Sequence, residues 1–187
     1  DYSSINKNSK AYEVLTNLSS TKNNIILDFN YTASTRLILK QCGLSDEDID
    51  NRLIKVHGEA SNNDIIFGVE DNAGIKKEHV FLRKAYNIKY KALNFSELYD
   101  RIKSVAIFGH SLGETDHTYF NKLFQESCMY NKFSTNNNKE FWLFYYKENG
   151  YHCMMQQLDS LTHNSLTSFR QYNRVNFINT DKEKVFI

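Results

Sequence analysis

The chain has 187 residues, 41% of them hydrophobic, and a formal net charge of +1. That is enough apolar content for one compact domain with a real core, and too nearly neutral for bulk attraction to nucleic acid or anionic lipid. No apolar run approaches the roughly 18–20 residues that cross a bilayer, so no membrane partner is expected.

The opening residues contain neither an apolar signal stretch nor an initiator Met, which reads as the C-terminal part of a longer protein. Cys42, Cys128 and Cys153 are odd in number, widely spaced and outside any Cys-x-x-Cys pair. They read as reduced thiols of a cytoplasmic protein, with no metal site expected. Proline is absent, so turns must rest on Gly, Asn, Asp and Ser.

In chain order, Tyr12, Leu15 and Leu18 recur three apart and predict an amphipathic helix over 9–20. The apolar run 25–30 predicts a buried strand with a polar tip, followed by a helix from Thr32 through Leu37, Ile38 and Leu39 that Gly43 stops. Further strands are predicted at 52–56 and 64–69, with an antiparallel hairpin over 52–69 as the alternative for that stretch. Helices follow at about 78–88 and 94–103, then a buried strand at 105–108 and a helix at 116–129. A central strand at 141–146, a long helix over roughly 151–171 and a last strand at 175–178 complete the chain. This alternation argues for a single α/β domain over 1–187, built on a mostly parallel sheet covered on both faces.

Ligands of open parallel sheets bind beyond the carboxyl ends of the strands. Three predicted strand ends carry unusual residues: Asn30-Tyr31-Thr32, His57-Gly58, and Gly109-His110-Ser111-Leu112-Gly113. Asn30 can donate and accept at once, and so hold a water or a sugar hydroxyl, although Asn also suits a helix entry. His57 suits a general base near neutral pH, or a turn bonded to a backbone carbonyl. The glycines of the third tip permit a tight strand-to-helix turn whose N–H groups can receive phosphate. Asp116 beyond it reads first as a helix cap, second as a partner for a ribose hydroxyl.

Gly-His-Ser-Leu-Gly also fits the Gly-x-Ser-x-Gly nucleophile elbow of α/β-hydrolases, which would make Ser111 a nucleophile. That fold needs a histidine in a loop after a late strand. Here the only later histidines are His117, His152 and His163, all in or before predicted helical regions. The esterase is therefore the lesser reading.

Taken together, Asp28-Phe29-Asn30-Tyr31-Thr32, Val56-His57-Gly58, Ile66-Phe67-Gly68-Val69 and Gly109-His110-Ser111-Leu112-Gly113 with Asp116 resemble the AbiH family, named for bacterial abortive infection, a defence against phage. The resemblance covers residues 27 to about 120. Its pattern is in turn similar to the sirtuin-like Rossmann fold, which binds NAD. The resemblance implies a three-layer, Rossmann-like sheet that lacks its N-terminal βα unit here, because a Gly-Asn-Gly-Phe-Asp phosphate loop is missing from the given chain. It also implies Asn30 orienting a water or ribose hydroxyl and His57 as general base. Tyr31, Thr32, Gly58, Gly68, Gly109, His110, Ser111, Leu112 and Asp116 would line the nucleotide. With no paired cysteines for a zinc module, glycosidic cleavage of NAD fits better than deacetylation. The alternative is a nucleotide-binding or assembly module without turnover, acting through an oligomer or a defence partner.

Overall fold

A computed structural model describes residues 6–21, 23–69, 73–87, 101–129 and 138–182. Two compact units divide the chain, one within Asp1–Lys91 and the other within Ala92–Lys184.

The first unit begins with α1 (Lys10–Ser19), whose N-cap Ser9 accepts the Tyr12 N–H at 3.2 Å. β1 (Ile26–Asp28) leads into α2 (Ser34–Gln41), which ends as Gly43 turns the chain at φ +90°. A short α3 (Asp46–Asp50) and β2 (Leu53–Lys55) follow. The two strands are parallel, with Ile26 opposite Leu53 and Asp28 opposite Lys55. Leu15, Ile38, Leu39, Ile49 and Leu53 form the core between helices and strands. Leu39 and Ile49 are fully buried, each contributing about 1.5–3 kcal/mol as an upper estimate.

At the surface, Arg36 pairs with Asp46 at 3.2 Å and with Asp50, while Lys40 reaches Asp46 at 2.7 Å. The Asp50 bond holds Arg36 even more firmly charged than usual, and the Lys40 bond keeps the Asp46 carboxyl below the ordinary range.

Two expectations fail here. Residues 64–69 form neither a third strand nor a hairpin arm. Ile66 N–H bonds the His57 carbonyl at 2.9 Å, and Val69 makes an isolated parallel bridge to Arg83. Gly68 breaks the alternation at φ +151°, where a side chain would meet the Leu82 carbonyl at 2.4 Å. The helix expected at 78–88 is two 3₁₀ segments, Lys77–Leu82 and Lys84–Tyr86. Most of the helix expected at 94–103 lies outside the described residues.

The second unit contains β3 (Ser104–Ile107), α4 (His117–Ser127), β4 (Glu140–Tyr145), α5 (Lys147–Leu161), α6 (Leu166–Tyr172) and β5 (Arg174–Asn179). Its strands are all parallel in the order β3-β4-β5, so β4 is central, as expected from its apolar run. Residues of two connecting helices pack on the same central-strand side chain, Phe141. Phe124 of α4 and Phe169 of α6 meet there at 5.5 Å and both pack on Phe141 of β4, at 5.6 and 4.7 Å. All three rings are essentially buried.

β3 is less buried than expected, since Ser104 and Ala106 are exposed and only Ile107 is enclosed. The single long helix expected at 151–171 starts earlier and is split in two. His163 and Asn164 both take left-handed backbone, which ends α5 after Leu161. Helices alternating with two small parallel sheets make this an α/β protein, the class expected from the sequence.

Candidate functional site

The first unit's polar tip is built outward from Asp28, the last residue of β1, whose side chain is only 3% exposed. A carboxylate buried this deeply needs partners. Lys55 supplies a charge at 2.9 Å to one oxygen, while the other accepts the Asn30 N–H at 2.9 Å and the Asn30 side-chain NH₂ at 3.0 Å. The same lysine donates to the carbonyls of Asn30 at 2.5 Å and Thr32 at 2.7 Å, which uses all three of its N–H donors. Buried Glu59 lies 3.9 Å from that ammonium and accepts from the Ser61 hydroxyl. One lysine therefore holds the whole Asn30–Thr32 loop.

This arrangement orients Asn30. Facing a carboxylate, its amide must present NH₂, so Oδ1 points away as an acceptor from an exposed residue. Beyond the last paired residues, Asp28 and Lys55, the Val56 N–H still bonds the Asp28 carbonyl at 3.0 Å and the Ala60 N–H bonds the Tyr31 carbonyl at 2.8 Å. The His57 ring is flanked by Phe29 at 5.4 Å and Tyr31 at 6.0 Å, and the residue is only 5% exposed. Tyr31 also meets Phe67, which is 69% exposed, at 5.3 Å. Gly58 is enclosed at φ +73°, where an added Cβ would sit 2.1 Å from the Asp64 carbonyl oxygen. Glycine is therefore required there to let the loop close, with Glu59 N–H bonding the Asp64 carboxylate at 2.6 Å.

Thr32 does not cap α2. Its hydroxyl bonds that of Ser34 at 3.0 Å, and the N-cap position is Ala33 with no side-chain cap. Gly68 is exposed beside Phe67, at the bridge with 82–84.

The second unit's turn is organised around Leu112, not Ser111. Leu112 is fully buried and sits at φ +55°, a left-handed conformation that costs a non-glycine residue about 1–2 kcal/mol. Its backbone is bonded at both polar atoms by histidines. Leu112 N–H donates to His110 Nδ1 at 2.9 Å, and His117 Nε2 lies 3.0 Å from the Leu112 carbonyl and 2.9 Å from Gln157 Oε1. A backbone N–H can only donate, so His110 Nδ1 carries no proton and its ring proton sits on Nε2. That nitrogen faces Asp116 at 3.2 Å.

The expected role of Asp116 as a helix cap is thus not met. Asp116 occupies the N-cap position of α4 without a side-chain cap bond, and its carboxylate meets His110. Gly109 is exposed at φ +65°, and Ser111 is exposed beside it.

The hydrolase alternative finds little support in this geometry. An elbow concentrates strain at the nucleophile, and here the left-handed residues are Gly109 and Leu112. Ring nitrogens of His110, His117 and His163 are engaged by Leu112, Asp116, Gln157 and Gln125.

Of the residues expected at this tip, Tyr31 lies against His57 and Asn30 is bonded to Asp28, while Asp28, Lys55, Glu59 and His117 were not among the expected site residues. Polar residues inside the runs 25–30 and 52–56 were the available signal. Among the described residues no cluster of His, Cys, Asp and Glu is arranged for a metal ion, and no helix is long and apolar enough to span a membrane.

An α/β chain whose parallel strands end in polar loops is the class that fold and tips define. The protein belongs to the bacteriophage abortive infection AbiH family, whose sequence profile matches residues 2–146. Neither curated proteins nor solved structures gave a match.

Proposed function

We propose that this protein acts in abortive infection through a nucleotide site at the Asn30–His57 tip, with NAD as the substrate class and glycosidic cleavage as the reaction. Family membership supports the defence role. The observation that carries the chemistry is the side-chain amide of Asn30, whose Nδ2 joins the backbone N–H of the same residue on one Asp28 oxygen and so turns Oδ1 outward as an acceptor. An acceptor so placed receives a hydrogen bond from a ribose hydroxyl or an attacking water.

The donor set suits the neutral ribose end of a dinucleotide. It does not suit the pyrophosphate, because the donors of Lys55 are spent on Asp28, Asn30 and Thr32 beside buried Glu59.

The test is NAD binding by calorimetry together with NAD consumption, on the full chain. Asn30→Ala is expected to lower affinity at least tenfold while leaving the circular dichroism and Tm of the wild type. Unchanged affinity in that variant, or no binding of millimolar NAD by wild type, overturns the reading.

One observation favours binding without turnover. His57 is 5% exposed and packs against Phe29 and Tyr31, a setting that hinders proton exchange with solvent by a general base. Binding with intact NAD after prolonged incubation selects this module reading over the hydrolase.

A further inference from the structure

The two histidines that grip Leu112 respond to acid in opposite ways. His117 reaches the Leu112 carbonyl through Nε2, which must donate there. A second proton on that ring goes to Nδ1 and leaves the carbonyl bond in place. His110 is the reverse case, because its Nδ1 is the acceptor of the Leu112 N–H. A second proton on His110 can go only to Nδ1, where it turns an acceptor into a donor facing another donor.

We propose that His110 is a proton-operated latch on the Gly109–Asp116 turn. In the neutral state the ring holds Leu112 at φ +55° against its own conformational preference. Protonation expels the Leu112 N–H and at the same time converts the 3.2 Å contact of Nε2 with Asp116 into an ion pair. Both changes act in one direction: the ring leaves Leu112 for Asp116, and the left-handed residue loses the bond that opposed its relaxation.

The groups that face the ring include Asp116 from the 3₁₀ turn and, from α4, Phe120 edge-on at 5.2 Å. His117 acts from the far side of Leu112. Since the side chain of Leu112 is fully buried, its release also disturbs the packing beneath the turn. The latch does not depend on what the turn binds, so it stands or falls separately from the nucleotide reading.

The experiment is an NMR titration of the full chain. At neutral pH, long-range ¹H–¹⁵N spectra of His110 are expected to show the Nε2–H tautomer. On acidification the Leu112 amide is expected to lose at least tenfold in hydrogen-exchange protection, corrected for intrinsic rates, at the midpoint of the His110 ring. His110→Gln, whose amide oxygen accepts at every pH, removes that dependence, whereas His117→Gln keeps it. An Nδ1–H tautomer at neutral pH overturns the latch. So does Leu112 protection that stays level across the His110 titration, a measurement that needs no variant. Loss of the dependence in His117→Gln with its retention in His110→Gln would assign the effect to the wrong ring and overturn it equally.

Discussion

The two polar tips are held by different physics. In the first unit a single ammonium draws in a carboxylate and two carbonyls, with a second carboxylate close by. In the second a neutral imidazole and a second histidine pin the two ends of one peptide residue. Charge assembles the first loop, and a conformation kept against its preference defines the second. The lesson is that strand tips of similar composition need not share their sensitivities. The first should respond to removal of a charge, the second to addition of a proton.

The strongest way to break this contrast is Lys55→Met. It leaves Asp28 and Glu59 buried without their cation, and loss of one partner of a buried pair costs about 3–5 kcal/mol. Urea denaturation followed by backbone amide exchange in the first unit should register that loss. Adding Asp28→Leu should recover part of it, and a Lys55→Met protein as stable as wild type would refute the ionic hub.

Gly58→Ala ranks next. A methyl group 2.1 Å from a backbone oxygen, at φ +73°, forces the 57–64 loop to shift, with an expected cost of about 1–3 kcal/mol. The companion measurement is NAD affinity, which should fall because the loop anchors beside His57. A Tm within one degree of wild type would contradict the close approach.

The smallest effect belongs to the surface charges that tie α2 to α3. Asp46 has a carboxyl pKa depressed in the folded state, first by its bond to Lys40. Its contribution is therefore fully present above the unfolded carboxylate value, about 3.9, and disappears as pH falls through the lower folded value. Because Asp46 is exposed, 1 M salt should shrink the shift. A carboxyl ¹³C titration of Asp46 at or above the peptide value would remove this link from the comparison.

Most of the strands were legible because residues 25–27, 105–108 and 141–144 are apolar runs, the pattern of parallel strands, although Ile25 and Ala106 stay exposed. The run 64–69 has the same appearance and a different fate. Ile66 is buried, but Phe67 is 69% exposed and the Gly68 backbone abuts residues 82–84. Nothing local distinguishes such a loop from a strand. Helix α3 was missed although Ser45-Asp46-Glu47-Asp48 carries a capping pattern, and Ser45 Oγ does accept the Asp48 N–H at 3.1 Å. The break between α5 and α6 had no Gly or Pro to announce it.

At the site, residue types at strand ends pointed to Asn30 and His57. The anchors Asp28 and Lys55 could not be read, because a polar residue within a run does not reveal its partner on the next strand. Nor could a left-handed Leu112, which only tertiary contacts stabilise.

The strand order of the second unit follows the order of the chain, β3 then β4 then β5. Each strand therefore docks beside the one made just before it, and no earlier strand must be held open for a later insertion. A sheet of this kind can lengthen as the polypeptide leaves the ribosome, β3 and β4 joining across α4 before α5 and α6 are complete. The Phe124–Phe141 contact would form at that stage, and Phe169 would close over it last.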